Sequence, residues 1–135
     1  MLEIHDYLKK CETFYIATVE GSQPRVRAFG AVHIFEDKLY LITSKEKAVS
    51  KQICANPKVE ICAIYGEVFN GGSWLRVEAT LVEDDRIEAK QSMLDGIPVL
   101  QNIYRADDYN TQVLYLKDAT ATISSYTGEP KVIKF

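Results

Sequence analysis

The sequence is short of every residue class that would mark a specialised scaffold. Its three cysteines, Cys11, Cys54 and Cys62, are odd in number and form no C-x-x-C pair. That excludes a disulfide framework and a cysteine zinc site, and leaves three buried, reduced thiols as the expectation. Only two histidines are present, His5 and His33, too few to suggest a metal centre. No segment approaches the ~20 apolar residues that span a bilayer, and Met1 to Lys10 interrupts its apolar positions with acids and bases, unlike a signal peptide. The reading is a cytoplasmic protein with no membrane partner. An excess of positive charge is also missing: the formal net charge is -3, which argues against nucleic acid as a partner and makes any anion site local.

What is there is an ordinary globular composition, 47% hydrophobic and 26% charged over 135 residues. A chain of this length supports one core, so residues 1–135 are read as a single domain. Apolar residues at Leu2, Ile4 and Leu8 suggest a short amphipathic helix from Leu2 to Cys11. Thr13 to Val19, a turn at Glu20-Gly21-Ser22, and a run from Arg25 to Phe35 read as a hairpin. Glu36-Asp37-Lys38 turns into a third strand, Leu39 to Thr43, and a helix is expected over Lys45 to Ala55, with Ser44 as N-cap and Asn56-Pro57 as its stop.

Lys58 to Tyr65 and Ser73 to Val82 form a further pair around Asn70-Gly71-Gly72, and Asp84 to Met93 reads as helix. Gln112 to Ser125 closes the series as one strand with a break near Asp118. The expectation is therefore mainly β with flanking helices: about six antiparallel strands closed into a small barrel, which removes exposed edges, and three helices. Leu75, Val77, Ala79 and Leu81 mark a core face by their alternation with Trp74, Arg76, Glu78 and Thr80.

In the Arg25 to Phe35 run, a period of two puts Val26, Ala28, Gly30, Val32 and Ile34 inward and Arg25, Arg27, Phe29, His33 and Phe35 outward. Two arginines beside an aromatic ring offer a guanidinium fork for a phosphate and a flat surface for a ring. The expected helix carries Lys45 and Lys47 in its first turn, where a cation is disfavoured by ~0.3–1 kcal/mol unless an anion binds there. Such an anion would meet backbone amides, the hydroxyls of Thr43 and Ser44, and the lysines, Lys51 sharing the face of Lys47. Trp74, the one tryptophan, sits on the exposed face of its strand and needs a cover: a cofactor ring, a second subunit or neighbouring helices.

These residues, in order, resemble the pyridoxamine 5′-phosphate oxidase-like family of FMN-binding split β-barrels. The resemblance runs through Thr13 to Thr18, Gln23 to Gly30, Leu39 to Ser44, Lys51-Gln52-Ile53, Asn56-Pro57 and Trp74 to Val77. It implies a Greek-key split barrel, paired as a homodimer with FMN at the interface. It assigns Arg27 to the FMN phosphate, Ala28 and Phe29 to the edge of the isoalloxazine, and Thr43 and Ser44 to the hydroxyl positions. Lys47 or Lys51 takes the place of the family's phosphate lysine, and Trp74 that of a residue reaching the flavin from the neighbouring subunit. Members that oxidise pyridoxamine phosphate carry an arginine and a histidine near the C-terminus, and Ser125 to Pro130 holds neither, which points to another substrate.

Two functions follow from the resemblance. One is an oxidoreductase in which FMN passes electrons from a small-molecule donor, such as NAD(P)H, to a small-molecule acceptor. The other is a module that binds, stores or senses a flavin or haem without turnover.

Overall fold

The computed structural model describes residues 1–135. Its framework is one eight-stranded antiparallel sheet. The strands are β1 Phe14–Glu20, β2 Gln23–Phe29, β3 His33–Phe35, β4 Lys38–Ser44, β5 Lys58–Tyr65, β6 Ser73–Asp84, β7 Thr111–Ser124 and β8 Lys131–Lys134. Helices α1 Leu2–Cys11, α2 Ala48–Ala55 and α3 Ile87–Gly96 flank it, and a 3₁₀ turn covers Pro98–Asn102. The strand order is β2-β1-β5-β6-β7-β4-β3, with β8 also paired to β7. Because β4 returns beside β7, strands β4 to β7 form a Greek key.

The sheet does not close, which corrects the expected barrel: β2 ends it on one side and β3 on the other. The strand count also exceeds the expectation. Ala31 and Val32 are both buried, 9% and 3% exposed, so alternation fails there and the Arg25 to Phe35 run divides into β2 and β3. The remaining extra strand is β8, four residues at the C-terminus. The break near Asp118 is present as a positive φ of 53° inside a continuous β7. Beside it the β6–β7 register shifts between Glu78 and Thr80, and β7 exchanges β4 for β8 as its second neighbour.

The β1–β2 hairpin decides which face of β2 is inside. Glu20 pairs with Gln23, leaving the two-residue loop Gly21-Ser22, with Gly21 at φ 62° where a type II′ turn requires glycine. The register then sets Arg27 against Ile16 and Phe29 against Phe14. Directly opposed residues share a face, and Phe14 and Ile16 are fully buried. The inward residues of β2 are therefore Arg27 and Phe29, while Val26 is 68% exposed, the reverse of the expectation. Phe29 packs on Phe14, ring centroids 6.2 Å apart, and half-buried Phe35 lies against Tyr40.

The main core gathers Ile4 and Leu8 from α1, Phe14 and Ile16, Val49 and Ile53 from α2, and the alternating Leu75, Val77, Ala79 and Leu81 of β6. A second cluster under α3 joins Tyr40, Ile42, Met93, Leu94 and Val113. The helix expected from Asp84 starts at Ile87 instead: Asp84 ends β6, where its carboxylate is buried against Tyr40 and Arg86. Of the thiols, Cys54 is exposed and Cys11 and Cys62 are half-buried, so full burial is not met.

Between β5 and β6 the chain turns on the Glu67 carbonyl, which accepts from the amides of Asn70 at 2.9 Å and Gly72 at 2.8 Å. A Cβ on Gly72 would collide with the backbone of Glu67. Gly72→Ala is expected to lower the unfolding free energy by about 1–3 kcal/mol, the usual cost of overpacking. A urea titration in which the variant matched the parent would remove this role.

Candidate functional site

The end of β2, the link to β3, the end of β4, the start of α2 and residues 97–104 surround a cleft of about 350 Å³. That volume lies in the ~300–1,000 Å³ range of small-molecule sites. Its walls are mostly apolar: Phe29, Ala31, Ile42, Val49, Ile97, Val99, Leu100, Ile103 and Tyr104 all line it. Two lining residues are cationic, Arg27 and Lys47, and none is acidic.

Arg27 is half-buried at the inner side of β2. Its Nη1 donates to the Ile16 carbonyl at 3.1 Å and to Thr18 Oγ1 at 2.8 Å, and its Nη2 donates to Gln52 Oε1 at 2.6 Å. All three acceptors are neutral, and Arg27 has no carboxylate partner. A guanidinium has five N–H donors, so some remain for a ligand. Burial, with a further contribution from neighbouring Arg25, lowers the pKa of Arg27, the sign of a charge without a counterion.

Helix α2 begins later than its composition suggested. Lys45 and Lys47 are not in its first turn: Lys47 is the N-cap residue, and the first helical residue is Ala48. The Lys47 amide donates to the Ser44 carbonyl and the Ser50 amide to the Lys47 carbonyl, whereas the amides of Ala48 and Val49 have no backbone acceptor. Exposed Lys47 forms no ion pair, and its side chain and that of Val49 line the cleft. The cleft thus has one end where a helix terminus, Lys47 and Arg27 all favour negative charge.

The other residues proposed from the sequence divide between the cleft and the rest of the molecule. Ala28, Phe29 and Thr43 line the cleft with Arg27 and Lys47. Arg25 instead pairs with Glu20 at 3.0 Å on the surface. Ser44, 8% exposed, turns away from the lining, and Lys51 is on the exposed side of α2. Lys45 is held by Glu83 at 3.2 Å and lies over the ring of Tyr109. Trp74 is half-buried on β6, its ring 5.4 Å from Tyr126, so its cover within the chain is the β7–β8 loop. His33 is also outside the cleft, with Nε2 2.9 Å from Ser92 Oγ, and burial foremost lowers its pKa.

Sequence reasoning missed the wall from Ile97 to Tyr104. Its apolar residues follow neither a helical nor a strand period, because the segment is a 3₁₀ turn with loop on both sides. The available signal was composition: Ile97, Val99, Leu100, Ile103 and Tyr104 crowd a stretch otherwise read as connection. Val99 and Ile103 are 65% and 72% exposed, large values for aliphatic side chains at the mouth of a cleft. With these walls, the site suits a flat apolar body bearing an anion.

Comparison with known proteins places the fold. A NimC/NimA family protein from Clostridium acetobutylicum is 41% identical, with a TM-score of 0.94, the alignment covering 100% of this chain and 92% of that one. General Stress Protein 26 from Bacillus anthracis shares the fold at 17% identity and a TM-score of 0.76, covering 99% and 97% of the two chains. The haem storage protein HutZ from Vibrio cholerae does so at 14% and 0.66, covering 98% and 92%. No match was found among curated protein sequences. The sequence model of the pyridoxamine 5′-phosphate oxidase family matches residues 2–114, and the chain belongs to that family.

Proposed function

We propose that the cleft binds FMN and that the protein is a flavin-dependent oxidoreductase acting on a small-molecule acceptor. The observation that carries this is the charge pattern of the lining: apolar walls, two cations without counterions, and no acid. An uncharged ring system would gain nothing from Arg27, Lys47 and the free amides of α2, and a simple anion would gain nothing from the apolar walls. A phosphorylated tricycle uses both. Bound FMN supplies the electron-transfer chemistry.

The chain's part is binding and orientation. Arg27, Lys47 and the Ala48 and Val49 amides hold the phosphate, with Thr43 beside them. The backbone at Ala28 and Phe29 faces the ring edge, and Ile97 to Tyr104 shields one side from water. No lining side chain is a carboxylate, histidine or cysteine, and solvent water would supply any proton that the reduced acceptor takes up. We extend the reading to a homodimer, supported by exposed Val26, Val99 and Ile103, apolar side chains that a second copy would cover.

Ligand released from freshly purified protein by denaturation tests the assignment. An absorption spectrum and mass of FMN are expected, and NAD(P)H consumption with a quinone or nitro acceptor should exceed that of free FMN. A colourless protein that fails to take up added FMN overturns the proposal. A haem-storage reading draws on HutZ and predicts instead a Soret band after haem addition, with no turnover.

A further inference from the structure

We infer that Gln52, with Thr18, is the positioning group that keeps the charge of Arg27 available to a phosphate; this rests on the FMN reading above. The side chain of Gln52 is 6% exposed and that of Thr18 2%, so both are parts of the interior, and neither lines the cleft. Their hydrogen bonds are directional. Gln52 Oε1 accepts from Thr18 Oγ1 and from Arg27 Nη2, while Gln52 Nε2 is turned to Glu20 Oε2 at 3.4 Å. Glu20 in turn accepts from Arg25 Nη2 at 3.0 Å.

The amide therefore stands between a guanidinium and a carboxylate, presenting oxygen to one and nitrogen to the other. Two consequences follow from this geometry. The oxygen fixes Arg27 without cancelling its charge, since a neutral acceptor orients a cation while leaving its field intact. The nitrogen engages Glu20, which Arg25 also holds, so the one acid in this network pairs away from the cleft. A carboxylate in place of the amide would keep the acceptor for Arg27 and Thr18, lose the bond to Glu20 and reverse the electrostatics: Arg27 would gain a counterion and lose its attraction for a doubly charged group.

The test compares FMN with riboflavin, which has the same ring and no phosphate. Flavin fluorescence titrations on the parent, Gln52→Glu, Gln52→Met and Lys51→Ala would be run beside thermal unfolding. The parent is expected to prefer FMN. In Gln52→Glu, FMN affinity should fall about 10- to 100-fold, the span of one charge-assisted hydrogen bond, with riboflavin affinity nearly unchanged. Gln52→Met, which removes the acceptor and adds no charge, should lose less FMN affinity than Gln52→Glu, and Lys51→Ala should match the parent.

A structural role alone would weaken both flavins together and lower the unfolding temperature in step. An unaltered FMN-to-riboflavin ratio in Gln52→Glu overturns the inference while leaving FMN binding in place. A parent that binds neither flavin overturns the FMN reading, and the inference with it.

Discussion

Arg27→Ala is expected to weaken FMN binding about 10- to 100-fold, and Arg27→Ala combined with Lys47→Ala to reduce it further still. Each hydrogen bond to a charged group contributes about 1.5–3 kcal/mol, and each 1.4 kcal/mol is about tenfold in affinity. Both side chains line one end of one cleft, so their effects are expected to couple rather than add. Arg27 should matter more. It is half-buried and tethered by three neutral acceptors, whereas Lys47 is exposed at the N-cap of α2 and pays rotamer entropy to reach a ligand.

The fold should survive both changes. Without Arg27, Thr18 and Gln52 still bond to each other, and no carboxylate loses a partner, since Glu20 is paired to Arg25. Fluorescence titration with FMN checks the prediction, with far-ultraviolet circular dichroism to confirm that the variants fold. Affinity in the double variant equal to the parent's would remove the phosphate from this end of the cleft.

How much of this was legible beforehand depended on whether local pattern or partner pairing decides an element. The β6 alternation was legible because that strand has neighbours on both sides and a face in the core: Leu75, Val77, Ala79 and Leu81 are all buried. The orientation of β2 was not. That strand is an edge with one neighbour, and its small apolar residues imitate a core face, while its true inward residues follow from register against β1. The clue lay in the preceding strand, where Phe14, Ile16 and Thr18 alternate with Tyr15 and Ala17, and a two-residue turn carries that pattern onto Arg27 and Phe29.

The convergence of a strand arginine with a helix start was readable, though its reason changes with the helix boundary. Lysines in a first turn would have signalled an anion by their electrostatic cost. With Lys47 as N-cap and Lys45 tied to Glu83, the signal is instead a cleft lining that holds Arg27 and Lys47 and no acid. Residues 97–104 were illegible because a 3₁₀ turn has no long period to detect. The acids Asp84 and Asp85 misled as helix-start markers, since Asp84 serves a buried network at the end of β6.

That network has the largest expected effect on stability. Asp84, its side chain 8% exposed, accepts from Tyr40 at 2.8 Å and from Arg86 Nε at 2.9 Å and Nη2 at 2.8 Å. Arg86 also donates to Glu36 at 2.8 Å. Foremost through Arg86, and against the opposing effect of burial, the carboxyl of Asp84 is held at about 2, while its neighbourhood raises the Tyr40 hydroxyl above its usual value, burial being the larger cause. Asp84→Ala leaves the Tyr40 hydroxyl without its acceptor inside the second core cluster, and a cost of about 2–3 kcal/mol is expected from losing a buried carboxylate hydrogen-bonded to Tyr40 and to the solvent-exposed Arg86 guanidinium. The pH dependence has a definite sign. A folded carboxyl below its ordinary value binds fewer protons than the unfolded chain's, so its stabilisation is fully present above the ordinary value of 3.8 and lost as pH falls through about 2. That contribution is about 2 kcal/mol. Urea midpoints measured from pH 7 down to pH 2 should therefore fall more steeply at the acid end for the parent than for Asp84→Asn, which has no carboxyl to protonate. Parallel curves for the two would show that Asp84 is not a source of the acid dependence, whatever Asp84→Ala costs at neutral pH.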